Sequence, residues 1–359
     1  MTAPAPAPAH APAPGHAPGP APAHSPAPAP HAPAPAPVPK IVLEPSTFAC
    51  QSRTHYFQIP PNPKGTVVFL HGCARTAQGF WTPTHAHPEC LGFPEDVSHT
   101  KQILAKGYAA LIPTPRDLQV LGWSHQAGDE APLVNIITTF LETHGLTNKP
   151  VILGGASAGG GMAQGLVQWI PANHAHVPWT IHGIISEVES HSPAPDAVPH
   201  FPPLVYMVME RDEESIVTAT QHVSAQTKKG CRAGMVVSPV RKVYDAYFSD
   251  RVPGMTIAES KTIVDALNAM KVLDAQGRLL KNVDIKSPEF QNELRKHAPF
   301  IKNLTVRTSP IMQALLVAYA QHEHVSDWTS AAIDFIVHGG NFKSLCDTLV
   351  VSKPTSFAV

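Results

Sequence analysis

The chain has 359 residues, a formal net charge of −1 and five cysteines. A balance so close to zero offers no electrostatic footprint for nucleic acid or an anionic membrane surface, and no stretch reaches the ~20 consecutive apolar residues of a membrane span. Cys50, Cys73, Cys90, Cys231 and Cys346 are an odd, sparse set that argues against a disulfide framework and fits a reducing compartment, although a lone Cys73–Cys90 bridge stays open.

Residues 1–39 are almost entirely Ala, Pro and His, with no Lys, Arg, Asp or Glu. Such a tract has too little to bury and should sample extended polyproline II, which at ~3.1 Å per residue reaches on the order of 100 Å. It reads as an untethered tail, with a proline-motif-binding partner as the functional counterpart. It has neither the basic start and hydrophobic run of a signal peptide nor the Arg and Ser of a transit peptide, so the expected compartment is the cytoplasm. The remaining ~320 residues suffice for one large α/β domain with an insertion.

Between Lys40 and Pro60 two strands are expected, "KIVLE" and "HYFQIP". "TVVFLHGC" follows, with Val67–Leu70 a fully buried strand and Gly72 free to bend the chain sharply at its end. Pro94, Glu95 and Asp96 suit the first turn of a helix, where the macrodipole favours acids; Val97, Ile103 and Leu104 give its buried face and Gly107 ends it. His85, His87 and Cys90 have a metal-like look but lack a fourth ligand and any CxxC or HExxH companion, so no metal is expected. Tyr108–Pro113 is the next strand. Trp123, in the loop after it, reads either as lining a substrate pocket or as a rim aromatic. Leu133–His144 is a helix closed by Gly145.

Val151–Leu153 then form a strand that runs into Gly154, Gly155, Ala156, Ser157, Ala158, Gly159, Gly160 and Gly161. Met162, Leu166, Trp169 and Ile170 recur at helical spacing, and Pro171 should stop that helix. Strand, sharp turn, helix with Ser157 in Gly-x-Ser-x-Gly is a nucleophile elbow: a strained turn, flanked by small residues, that lifts the serine Oγ above the sheet. The rivals are a plain glycine-rich βα loop and a phosphate-binding loop. Gly-x-Gly-x-x-Gly fails, because Gly159 and Gly161 would need glycine at Gln164, and no Gly-Lys-Ser/Thr follows. With an elbow here, the N–H of Ala158 is one oxyanion donor. The turn after Leu70 supplies the other, from Cys73 or Ala74, and Cys73 is preferred.

Thr180–Val188 and Leu204–Met209 continue the strands. Asp212 lies just past the second, where the functional groups of open α/β sheets gather, so it is the expected triad acid; it could equally be the N-cap of a helix from Glu213 to Lys228. Glu187 and Glu210 are weaker candidates. Gly234–Val240 is the last core strand. The segment 241–310 then carries a helix at Thr256–Met270, a hairpin about Asp274–Gly277 and a helix at Glu289–Lys296. With twelve basic against eight acidic residues its charge excess is too small and dispersed for a nucleic-acid wing; a lid over the site or a passive insert fits better. Met312–Tyr319 is buried, helical or extended, and Val325, Trp328, Ala332, Phe335 and Ile336 line a terminal helix. His322 and His324 sit on the loop before that helix, and the order Ser157, Asp212, His322 is the Ser–acid–His order of the hydrolases built on this elbow.

The expected architecture is therefore α/β: a mainly parallel sheet with helices on both faces, spanning 40–240 and 311–345 and interrupted by a small α+β lid-like module at 241–310. These residues resemble the α/β-hydrolases. "LHGCARTAQGF" and "GGASAGGGMA" are similar to segments of polyester depolymerases and feruloyl esterases. A longer likeness, from Val67 to Ile336 and carried by "CLGFPEDV", "DRVPGMTIAES", "LDAQGRLL" and "AYAQHEH", is to a plant and algal group of uncharacterised α/β-hydrolase-like proteins. The resemblance implies Ser157 as nucleophile and His322, of the "HE" pair, as its base. The expectation is a serine hydrolase that cleaves a small-molecule ester or related acyl bond through an acyl-enzyme, without metal or organic cofactor. A catalytically inactive hydrolase-fold receptor or binding protein, and a serine peptidase, are the alternatives.

Overall fold

A computed structural model describes residues 41–117, 122–174, 176–189 and 200–349; the Pro/Ala-rich tract 1–39 lies outside them. Two strands open the described chain. β1 (Ser46–Cys50) and β2 (Arg53–Gln58) pair antiparallel about Gln51 and Ser52, both at positive φ, +51° and +58°. Two left-handed central residues make the hairpin turn whose twist matches that of its strands. The expectation of a first strand at "KIVLE" is thereby corrected: the strand is "STFAC", further on. No Gly or Asn marks the turn, so the usual hairpin signal was absent.

Six further strands complete the sheet: β3 (Thr66–Leu70), β4 (Ala109–Ile112), β5 (Val151–Ala156), β6 (Ile181–Glu187), β7 (Leu204–Met209) and β8 (Ala233–Ser238). Their order is β1-β2-β4-β3-β5-β6-β7-β8. β2 meets β4 antiparallel, and every pair from β4 to β8 is parallel. Parallel pairs need crossovers, which place helices on both faces and leave the strands wholly buried. One face packs on α2 (Glu130–Thr143), α3 (Ala158–Asn173) and α4 (Glu213–Lys228); the other packs on α1 (Pro94–Ala105), α8 (Thr329–His338) and α9 (Phe342–Leu349). The strand period of two sorts side chains between these cores. In β7, Leu204, Tyr206 and Val208 enter the first core, whereas Val205, Met207 and Met209 enter the second. Pro171, expected to stop α3, instead lies inside its last turn, two residues before the helix ends at Asn173.

After β8 the chain leaves the sheet and builds α5 (Ile257–Ala269), a tight turn closed by the Leu273–Leu279 bridge, and α6 (Pro288–His297). Thr256 and Glu259 form a capping box at the start of α5, and Ser287 caps α6 with Pro288 at its first position. Tyr247, Phe248, Ile263, Leu267 and Leu294 make a separate apolar cluster. α7 (Pro310–Tyr319) contributes Met312, Leu315 and Leu316 to that cluster and only Val317 to the sheet core. This helix returns the chain to the carboxyl ends of the strands.

Candidate active site

An eight-stranded sheet in this order, with an antiparallel edge and helices on both faces, is the α/β-hydrolase fold, and its functional groups are sought at the carboxyl ends of the strands. β5 ends at Ala156 and α3 begins at Ala158. Ser157, between them, has φ +51° and ψ −120°, a strained conformation for a non-glycine residue. Its backbone is held from both sides. Its N–H donates to Glu187 O at 2.8 Å, and its carbonyl accepts from Gly161 N–H at 3.0 Å. The turn closes because its neighbours have no side chains. A Cβ on Gly159 would overlap the Leu70 carbonyl, and one on Gly155 would overlap the Gly159 backbone.

Ser157, His322 and Asp212 meet here although they come from β5–α3, the loop after α7 and the end of β7. Ser157 Oγ lies 2.9 Å from His322 Nε2, and His322 Nδ1 lies 2.8 Å from Asp212 Oδ2. A carboxylate only accepts, so Nδ1 carries the imidazole hydrogen and Nε2 is free to accept the Ser157 hydroxyl hydrogen. Asp212 also caps α4: Oδ1 accepts Ser215 N–H at 3.3 Å, and Oδ2 accepts the Ser215 hydroxyl at 2.7 Å. One carboxylate thus both caps α4 and faces the His322 imidazole. Asp212 is 7% exposed, whereas the His322 side chain is 43% exposed. The hydrogen bond to Asp212 raises the His322 pKa above the usual 6.5, against the opposing effect of burial. Burial alone would push the Asp212 carboxyl up; the bonds from His322 and Ser215 outweigh it and hold the group below 3.8.

The chain after β3 bends beside the elbow. A side chain at Gly72 would begin 3.3 Å from Ala156 O and 3.6 Å from Ser157 Cβ. Ala74 follows with φ +62°. Neither the Cys73 N–H nor the Ala158 N–H donates to an acceptor among the described residues. His71 is fully buried, with Nδ1 3.0 Å from Gly72 O, and burial pulls its pKa down to about 4. Trp123, read from the sequence as lining a substrate pocket or as a rim aromatic, is 6% exposed, packs in the core on the α2–α3 side, and has its ring 6.2 Å from His71.

His324 is placed differently from His322. It is 4% exposed; Nδ1–H donates to Asp96 Oδ1 at 2.6 Å, and Nε2 accepts Gly72 N–H at 3.3 Å. Its imidazole thus joins α1 to the turn that carries Cys73. Asp96 and Glu95, read from the sequence as helix-start acids, hold the histidine loop. Glu95 Oε2 accepts both the N–H and the hydroxyl of Ser326, at 2.8 and 2.7 Å, and Arg241 bridges Glu95 and Asp327 at 3.1 and 2.9 Å. Arg75 pairs with Glu323 in the interior. Of the weaker acid candidates, Glu187 accepts Val325 N–H at 3.1 Å and Glu210 accepts Val240 N–H at 2.8 Å. Sequence patterns had no means of finding Arg75, Glu95, Asp96 and Arg241, because their partners lie 86 to 248 residues away.

Among the described residues, no group of three or more His, Cys, Asp or Glu could hold a metal, and no helix is long and apolar enough to cross a membrane. All five cysteines are unbridged, with Cys73 exposed and Cys90 buried. No family model and no curated protein matches the chain. Among solved structures it is similar to a dienelactone hydrolase from Anabaena variabilis, at 18% identity over 54% of this chain and 86% of that one, TM-score 0.38. It is also similar to a hormone-sensitive lipase from a metagenome library, at 13% identity over 63% and 85%, TM-score 0.39. A third is an esterase from Pyrobaculum calidifontis, at 12% identity over 55% and 75%, TM-score 0.36. At such identities a likeness concerns the fold alone, which the strand order and the elbow already define.

Proposed function

We propose that this chain is a serine hydrolase that cleaves an ester or related acyl bond of a small molecule through an acyl-enzyme. The observation that carries the reading is the unbroken hydrogen-bonded line from Asp212 through His322 to Ser157 on a strained elbow. Ser157 Oγ attacks the acyl carbonyl as its hydrogen passes to His322 Nε2. Asp212 keeps the imidazole in the required tautomer and stabilises its cation without itself taking the proton. The oxyanion is held by the N–H groups of Cys73 and Ala158, each worth roughly 10²–10³ in rate. Nε2–H is then given to the leaving oxygen, and water, deprotonated by the same nitrogen, releases the acid. The conformation of the elbow and the packed glycines beside it support this use, because the attacking oxygen and the donors are positioned before substrate arrives.

The test is labelling with a fluorophosphonate probe followed by turnover of a graded ester panel. Wild-type protein should be labelled and active. Ser157→Ala should lose both, with an unchanged thermal transition. Equal turnover by the two proteins sinks the reading.

A further inference from the structure

A cavity of about 430 Å³ opens beside His322. Its walls are Leu316 and Tyr319 at the end of α7 and the segment 281–286 of the insert, which brings Lys281, Asp284 and Lys286. The lysine-bearing segment is tied down. Tyr319 Oη–H donates to the Lys281 carbonyl, Arg211 Nη2 donates to Leu279 O at 2.6 Å, and the Arg211 guanidinium stacks 4.5 Å from the centre of the Tyr319 ring. The residue after Arg211 is Asp212, so this wall is anchored next to the site itself.

The charges in the cavity are unbalanced. Asp284 turns inward on its own loop, its Oδ1 accepting Lys286 N–H at 3.0 Å. Lys281 meets Glu213 at 3.4 Å, but both are largely exposed, and such pairs contribute little. Lys286 has no acidic partner among the described residues. Lys281 and Lys286 thus give the wall beside His322 two ammonium groups, an electrostatic match for a negative group. The proton that His322 Nε2 carries goes to the leaving oxygen, so the space His322 borders receives the leaving-group side of the substrate.

Resting on the acyl-transfer reading above, we propose that this cavity binds a carboxylate on the leaving-group side of the substrate through Lys286 and Lys281, and that the enzyme prefers esters of such anionic alcohols or phenols to neutral ones.

The experiment compares kcat/KM for 4-acetoxybenzoate with that for phenyl acetate in wild type, Lys286→Gln and Lys286→Glu. Reading the ratio across variants cancels the intrinsic difference between the leaving groups. The ratio should fall about 5- to 10-fold in Lys286→Gln and further in Lys286→Glu, the scale of a lost charge-assisted contact at a partly exposed site. A ratio unchanged within about twofold in both variants overturns the proposal. Calorimetric binding of 4-hydroxybenzoate to Ser157→Ala separates the two readings. Lysine-dependent binding with no turnover by wild type sinks the hydrolase reading and keeps the anion site, whereas turnover with a lysine-independent ratio sinks the anion site alone.

Discussion

Replacing His324 by alanine should damage the protein in a way that replacing His322 does not, although the two lie two residues apart on one loop. His324→Ala removes the donor that pairs with Asp96 at 2.6 Å in the interior and the acceptor of Gly72 N–H at 3.3 Å. Burial pushes the Asp96 carboxyl up, and His324 is the first of the groups that reverse this and hold it ionised. Without the imidazole a buried carboxylate loses its principal partner, and breaking a buried pair costs about 3–5 kcal/mol. For a domain of about 300 residues that corresponds to a fall of roughly 5–8 °C in Tm. The turn carrying Cys73 is also released, so kcat should fall by roughly 10- to 100-fold, short of losing a full oxyanion donor. His324→Gln, which can still accept from Gly72, should recover part of both losses. His322 is 43% exposed at the side chain, so at a pH above its raised pKa, where the charged pair no longer contributes, His322→Ala should leave Tm nearly unchanged while turnover drops at least ~10³-fold, as when a general base is removed from a triad. The assays are thermal denaturation and steady-state kinetics on the best ester of the panel. A Tm for His324→Ala within about 2 °C of wild type would falsify the buried network as a source of stability. A nearly active His322→Ala would reverse the assignment of the base.

The pH dependences of activity and stability should run in opposite directions. His322 acts as a base only when neutral, and its pKa is raised above 6.5 by Asp212, so kcat/KM should climb with pH through a value above 6.5; a decline between pH 6 and 8 sinks this. A raised histidine stabilises the fold fully below its unfolded pKa and loses that contribution as pH rises through the folded one, while the lowered Asp212 contributes above its unfolded pKa. The pair therefore supports the fold most between 3.8 and 6.5, a window visible as the Tm difference between wild type and His322→Ala. Gly159→Ala should abolish soluble expression or lower Tm sharply, because the new Cβ meets the backbone of Leu70, which cannot rotate away. A mutant with wild-type Tm and turnover would show that the elbow tolerates more room than the packing indicates.

What the sequence determined by itself was local or periodic. The elbow at Ser157 is legible because its demands, an apolar strand, a turn between small residues and an amphipathic helix, fall on consecutive positions. The alternation of strands and helices is legible for the same reason, and it implies a parallel sheet whose strand ends collect functional groups; Asp212 follows from its place after β7. Tertiary structure decided what depends on partners far along the chain. Chain position and the His-Glu pair favour residue 322 over 324, but the meeting of α1, the β3 turn and the loop after α7 is what sends one imidazole to Ser157 and the other to Asp96. Glu95 and Asp96 satisfy a helix start on paper, yet they are spent on loop anchors 228 and 231 residues away, because a loop that aims a catalytic group must have its own N–H groups paired when it is buried. Trp123 went to the core and α7 to the apolar cluster it shares with α5 and α6. A hydrophobic pattern tells a side chain to be buried but does not say against which neighbour, and that choice is made by the volume that the other elements leave to be filled.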